Sequence, residues 1–243
     1  MIAPTQHLVA LQTLAKQFAP SGAEIAVADP TGGSAVVLPQ EAPAIANARP
    51  KRRREFAAGR QAARAAMRQL GARQHAIPVG PDRAPVWPSG LSGSISHDAS
   101  SCVAIVGPTA QFLAFGVDVE PDAPLPEAVI EEICVSDERI WLESQPARQR
   151  GVLARRIFCA KEAVYKAQYP LTRALFGFDA VHISLNALES GFSARFRRDI
   201  DNVPAQTVVS GRCASAGGHI FALVTLGAMR GMENANFPVC ALG

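Results

Sequence analysis

Phe115-Gly116-Val117-Asp118-Val119-Glu120-Pro121 is the stretch that most limits the folds open to this chain. β-Branched and aromatic residues at alternate positions predict a strand, and in a strand successive side chains point to opposite faces. Leu113, Phe115, Val117 and Val119 are then expected on one face, with Asp118 and Glu120 on the other beside Ala114 and Gly116. Two neighbouring acids repel and do not both stay ionised without a counter-charge. A divalent cation is the simplest one, and Mg²⁺ takes one or two carboxylates together with phosphate oxygens. A strand end with both acids in water fits the same residues, so this stretch alone leaves two readings open.

The rest of the chain bears on that choice. At 243 residues it has room for one large domain or two smaller ones, each with a real core. Apolar residues make up 48% and charged residues only 19%, which excludes a disordered chain. The net charge of +3 is unevenly placed: Arg49, Lys51, Arg52, Arg53, Arg54, Arg60, Arg64, Arg68 and Arg73 crowd one window. Such a cluster suits phosphate, nucleic acid or an acidic protein. The five scattered cysteines lack metal-ligand spacing and read as buried thiols in a reducing compartment. The first twenty residues do not resemble a signal peptide, and no apolar run approaches membrane-spanning length. A cytoplasmic location is the expectation.

Along the chain we expect a short helix over residues 8–18 and a strand over 23–28. A strong helix follows over 52–70, stopped by Gly71, with Phe56, Ala63, Met67 and Leu70 as its buried stripe. Arg60 falls within that stripe and is expected to reach into a site. A Pro-rich loop (83–90), the segment Gly93-Ser94-Ile95-Ser96-His97-Asp98 and an apolar strand over 102–106 come next. The Ser-His pair at a strand-to-turn junction suits an anion; Ser96, His97 and Asp98, being adjacent, cannot form a hydrolase triad with one another. Beyond the central strand, helical stretches are expected at 127–133 and 137–143, the second capped by Ser136. The second strong helix spans 147–168 and stops before Pro170. Its core stripe is Leu153, Ile157, Ala160 and Val164; a second stripe, Phe158, Glu162, Tyr165 and Tyr169, places a carboxylate among aromatic rings and favours a lined pocket. Strands are expected at 181–185, 192–196, 203–210 and 219–226, and residues 227–243 as a loosely held tail.

The two strong helices also echo each other. With Phe56 set on Phe158, Arg60 meets Glu162 and Arg64 meets Lys166. If the echo is structural, two similar halves meet at the Asp118/Glu120 strand, where ligands commonly bind.

Gly116-Val117-Asp118-Val119-Glu120, followed about 40 residues later by Phe158-Cys159-Ala160-Lys161-Glu162-Ala163-Val164-Tyr165-Lys166, resembles the two-part signature of the 4′-phosphopantetheinyl transferase superfamily. The likeness extends to residues 53–60, to Arg83-Ala84-Pro85 with Trp87-Pro88, to Gly93-Ser94-Ile95-Ser96-His97 and to Tyr169-Pro170-Leu171-Thr172. It is greatest to the bacterial branch typified by enterobactin synthetase component D, and Arg173-Ala174 stand where relatives often carry Gly. The resemblance implies an α+β fold of two similar α/β halves related by a pseudo-twofold, residues 1–116 and 117–243, acting as a monomer. It implies transfer of the 4′-phosphopantetheine arm of coenzyme A to a serine of an apo acyl or peptidyl carrier protein, releasing adenosine 3′,5′-bisphosphate. It further implies a role in making siderophores or other secondary metabolites, and no need of nucleic acid.

For the site, the resemblance and the chemistry together assign Asp118, Glu120 and Glu162 to Mg²⁺, with Mn²⁺ as the alternative ion. Glu162 is the candidate general base and Lys166 its catalytic partner on the pyrophosphate or leaving-group oxygens. Arg53, Arg60, Arg83, Ser96, His97 and Lys166 are assigned to coenzyme A. Two other functions use the same residues. A Mg²⁺-dependent nucleotide pyrophosphate hydrolase would need the carboxylates but no protein acceptor. A basic nucleic-acid-binding module would use the 51–68 cluster and leave the three acids without a purpose.

Overall fold

The computed structural model describes residues 6–33, 35–186 and 190–228, together with residues 234, 237 and 238. In chain order they form α1 (Gln6–Phe18), β1 (Glu24–Ala28), a 3₁₀ turn (Ala42–Ile45), α2 (Pro50–Gln69), β2 (Leu91–His97), β3 (Cys102–Pro108) and β4 (Phe112–Pro121). There follow α3 (Glu127–Ile133), α4 (Ser136–Glu143), α5 (Ala147–Thr172), a second 3₁₀ turn (Phe178–Ala180), β5 (Val181–Asn186), β6 (Gly191–Phe196), β7 (Val208–Ala216) and β8 (His219–Gly227). The class is α+β, as expected: two antiparallel sheets, ordered β1-β3-β2 and β4-β8-β7-β6-β5, each covered by a long helix.

Small residues set how closely those helices approach. Ala62, Ala63, Ala66 and Met67 of α2 pack on Ala26, Ala104 and Val106 of the first sheet. Ile157, Ala160, Ala163, Val164 and Ala167 of α5 pack on Ala222, Val224 and their neighbours in the second. The closest approach is at Gly116, where a Cβ would lie 1.8 Å from the Ala163 carbonyl oxygen and 2.7 Å from the Ala167 nitrogen. Helix and strand backbones touch there, so only glycine fits, and the contact fixes α5 one turn from Asp118.

The sheets meet along β2 and β4, which run side by side in the same direction, joined by side chains instead of a backbone ladder. Ser92 Oγ donates to the Phe112 carbonyl at 2.9 Å. Ser94 Oγ accepts the Val117 N–H at 3.0 Å and Ser96 Oγ the Val119 N–H at 3.3 Å. Serine at alternate positions of β2 thus satisfies buried backbone groups that would otherwise be orphaned. Behind this seam, Leu11 and Ala15 of α1 pack on Ile25 and Val103 from one sheet and on Val117, Val119 and Phe221 from the other. Gln12 caps the outer edge of β1, donating to the Ile25 carbonyl and accepting the Val27 N–H.

Several expectations are corrected. Leu113 leaves its expected face and packs with Ala114 on the α5 side, because β4 bulges between Phe112 and Ala114. Ser136 is the first residue of α4 and not its cap; Glu138 closes that end by accepting the Val135 N–H at 2.8 Å. α5 runs through Pro170, whose missing N–H forfeits one helical bond near the end, and stops at Arg173. β7 begins at Val208, since residues 200–207 form a turn around the Ile200–Val203 bridge. Of the expected tail, most lies outside the described residues, but Phe237 is buried and Asn234 bonds to Ser210 and Thr225. The halves share a helix-on-sheet plan but differ in strand number, three against five.

Candidate active site

β2, β4, α2 and α5 converge on a cleft of about 570 Å³. Asp118, 3% exposed, forms its floor. Its Oδ1 accepts from Lys166 Nζ at 2.6 Å and from Ser96 Oγ at 2.8 Å, and the Lys166 ammonium also reaches Ser96 at 3.2 Å. Its Oδ2 is buried and has no hydrogen-bond partner. A buried carboxylate oxygen without a donor is costly and calls for a cation or a ligand proton.

Glu120 and Glu162 line the same cleft. Glu120 accepts from Arg155 Nη1 at 2.9 Å, yet burial and then the Asp118 charge push its pKa up to about 7. Glu162 is also raised, chiefly by burial and further by Asp118, against the pull of Lys166. For Lys166 burial is the largest influence and acts downward, but Asp118 and Glu162 outweigh it and hold the ammonium charged. Among the described residues, no three His, Cys, Asp or Glu side chains converge in a metal-holding group. The buried, unpartnered Asp118 Oδ2 is nevertheless an oxygen of the kind that a divalent cation takes, so the chemistry of this residue fits such an ion.

The opposite wall is cationic. Arg60 is 6% exposed, donates from Nε to the Ile77 carbonyl at 2.7 Å and lies 4.3 Å above the Phe56 ring. Burial lowers its pKa to about 10, so it remains charged near neutrality. His97 meets Arg52, which must donate, so the ring offers Nε2 as acceptor and turns Nδ1 towards Glu55 at 3.7 Å. Burial, with Arg52 adding to it, lowers the His97 pKa. Arg83 joins this wall from a loop at φ 67°.

Arg53 is not brought to the cleft. It donates to the carbonyls of Ala46 and Ala48 and lines a separate depression of about 200 Å³ with Asp29. Arg52 takes the cleft position instead. Helical phase carried that signal, because Arg52, Phe56 and Arg60 are spaced i, i+4, i+8 on one stripe. Sequence reasoning also missed Arg155, whose partner Glu120 lies 35 residues away. Lys161, beside Glu162 in sequence, faces the other way: it pairs with buried Glu138 at 2.8 Å and bonds the carbonyls of Ile133 and Phe178. Of the echoed pairs, Arg60 and Glu162 do share the cleft, whereas Arg64 bonds Glu41 and does not occupy a position like that of Lys166.

The chain is 40% identical over 153 residues to the 4′-phosphopantetheinyl transferase Npt of Nocardia iowensis, a span of 63% of this chain and 68% of that one. It is equally 40% identical over 160 residues to the 4′-phosphopantetheinyl transferase PptT of Mycobacterium tuberculosis, covering 65% and 70%. The chain belongs to the 4′-phosphopantetheinyl transferase superfamily. Residues 40–107 of this phosphopantetheinyl transferase match the family's N-terminal domain, and residues 114–223 match the superfamily model. The two matches meet at the β3–β4 turn. Enterobactin synthase component D of Salmonella typhi is 43% identical over 143 residues, 56% of this chain and 57% of that one. No helix among the described residues is long and apolar enough to cross a membrane.

Proposed function

We propose that this phosphopantetheinyl transferase moves the 4′-phosphopantetheine arm of coenzyme A to a serine hydroxyl of an apo acyl or peptidyl carrier protein within the cleft between α2, β4 and α5. The observation that carries this reading is the facing of opposite charges across one cavity, with Arg52, Arg60 and Arg83 against Asp118, Glu120 and Glu162. A pyrophosphate needs cations on its outer oxygens, and an incoming hydroxyl needs a base. Both are within reach of one ligand here.

Arg60, Arg83, Ser96 and His97, with Arg52 in the place first given to Arg53, hold the phosphates of coenzyme A. A divalent cation on Asp118, with Glu120 and Glu162, would neutralise pyrophosphate charge when bound, Mg²⁺ being the first candidate and Mn²⁺ the second. Glu162 takes the proton of the carrier serine as its oxygen attacks the phosphorus nearer the pantetheine arm. The new serine–phosphorus bond forms as the bond to the leaving phosphate of adenosine 3′,5′-bisphosphate breaks. Raised basicity suits Glu162 to accept that proton. Lys166, fixed by Asp118 and Ser96, balances the charge that grows on the leaving oxygen. We place the protein in the cytoplasm as a monomer, acting on carriers of siderophore or related assembly without nucleic acid. Arg53 and Arg64 are engaged internally, which leaves the outer face of α2 less free for a nucleic acid.

Chromatography of the nucleotide products tests this. With coenzyme A and Mg²⁺, adenosine 3′,5′-bisphosphate should form only when an apo carrier is added, one per carrier modified. Release without a carrier would support the pyrophosphate hydrolase instead.

A further inference from the structure

Asp82 stands at the tip of a tight loop in the first half and reaches across to the second. The loop is closed by the Val79–Pro85 bridge and by the Gly80 N–H donating to the Ala84 carbonyl at 2.8 Å. Its tip therefore moves as one piece with Arg83. Asp82 Oδ1 accepts the Ala84 N–H at 3.1 Å. Its Oδ2 accepts from Arg173 Nη1 at 2.5 Å and from the Tyr169 hydroxyl at 3.3 Å. Tyr169 and Arg173 close α5, just beyond Lys166. One carboxylate thus ties the loop bearing Arg83 to the helix bearing Glu162 and Lys166. It does so on the rim of a groove of about 930 Å³ that shares Arg83, Pro85, Ile95 and Lys166 with the catalytic cleft.

The backbone on both sides of this contact is left-handed, Arg83 at φ 67° and Arg173 at φ 57°. Glycine adopts that region without penalty and is the usual residue just past a helix end. Arg173 occupies that position instead, and its guanidinium is spent on Asp82 and, 5.7 Å away, on the Tyr169 ring. The strained cap has a partner that glycine would lack. The pair is exposed, with 62% of the Arg173 side chain open to solvent, so salt screens it and it adds little to folding. A weak contact between two halves can open and close without unfolding either.

We propose that Asp82 is a positioning residue: its clasp on Arg173 and Tyr169 holds Arg83 towards the ligand phosphates. This rests on the proposal above that Arg83 contacts those phosphates. The charge on each partner makes the clasp, so exchanging the charges preserves it.

Steady-state kinetics of the full chain with coenzyme A, Mg²⁺ and an apo carrier tests the clasp. Asp82→Ala and Arg173→Ala should each raise KM for coenzyme A about tenfold, with kcat held within about twofold and the melting temperature nearly unchanged. Asp82→Arg combined with Arg173→Asp should return KM towards the starting value. With Arg83→Ala already present, Asp82→Ala should add less than about twofold, because it acts through Arg83. The clasp is refuted if Asp82→Ala and Arg173→Ala leave KM unchanged while Arg83→Ala raises it. Full additivity with Arg83→Ala refutes it too. A normal KM in Arg83→Ala alone would overturn the phosphate role of Arg83 itself, and the clasp with it.

Discussion

Single atoms decide how the charged groups of the cleft come together. The missing side chain of Gly116 lets the α5 backbone rest on β4, and that contact sets Lys166 2.6 Å from Asp118. Gly116→Ala forces a methyl group into the Ala163 carbonyl, and overpacking of this kind costs about 3 kcal/mol. Urea denaturation should report that loss, and transfer should fall even under conditions where the variant is folded, since α5 must back away from Asp118. A variant of unchanged stability would mean that strand and helix do not touch. The choice between Arg52 and Arg53 belongs to the same scale. One residue on a helix turns a side chain by roughly 100°, so adjacent arginines in Lys51-Arg52-Arg53-Arg54 meet different surroundings. Composition made the cluster plain, but only the phase relative to Phe56 and Arg60 picks the member that reaches the cleft.

Among the elements, β2 and β4 form a join that depends on hydroxyl groups. Ser94→Ala removes the acceptor of the buried Val117 N–H, and an unsatisfied buried amide costs about 1–3 kcal/mol. Chemical denaturation of Ser94→Ala should show a loss in that range, whereas a loss under about 0.5 kcal/mol would argue that the serine bridge is incidental. This join also marks where sequence reading ran out. Alternation in Phe115–Val119 and the stripes of α2 and α5 are local patterns, and they were legible because each repeats within a few residues. The bulge that turns Leu113, the cap that Glu138 provides for Val135, and the late start of β7 all depend on chain that is distant or turned back on itself. In Ser-x-Ser-x-Ser of β2 only the last member drew notice, as a candidate anion contact, and the structural use of all three needed β4 beside them.

For the whole molecule, one continuous packing of two sheets and three covering helices explains both the cleft and the burial of the four described cysteines. α1 seals the back of the seam, a role that its composition did not announce, because its partners come from both sheets. Cys102, Cys134 and Cys213 are buried, and desolvation pushes each thiol up to about 12; fully buried Cys159 is raised as well. Only the thiolate alkylates readily, so at pH 8 these four stay protonated while the protein is folded. Peptide-resolved mass spectrometry after iodoacetamide treatment should find them labelled only with denaturant; labelling in the native protein would contradict the packing. The same packing brings Asp118 and Glu120 of β4, Glu162 of α5 and Arg52, Arg60 and Arg83 of the first half to one cavity, although 110 residues separate Arg52 and Glu162 in sequence. We propose that transfer takes place there with Glu162 as base. Its most direct test is the intact mass of an apo carrier followed over time with Glu162→Gln, beside calorimetry of coenzyme A binding. Addition of the phosphopantetheine arm should be slowed by about 10²–10⁴-fold, with coenzyme A affinity within about threefold of the unmodified protein. Transfer at the full rate by a folded Glu162→Gln, or a defect confined to coenzyme A affinity, would contradict it.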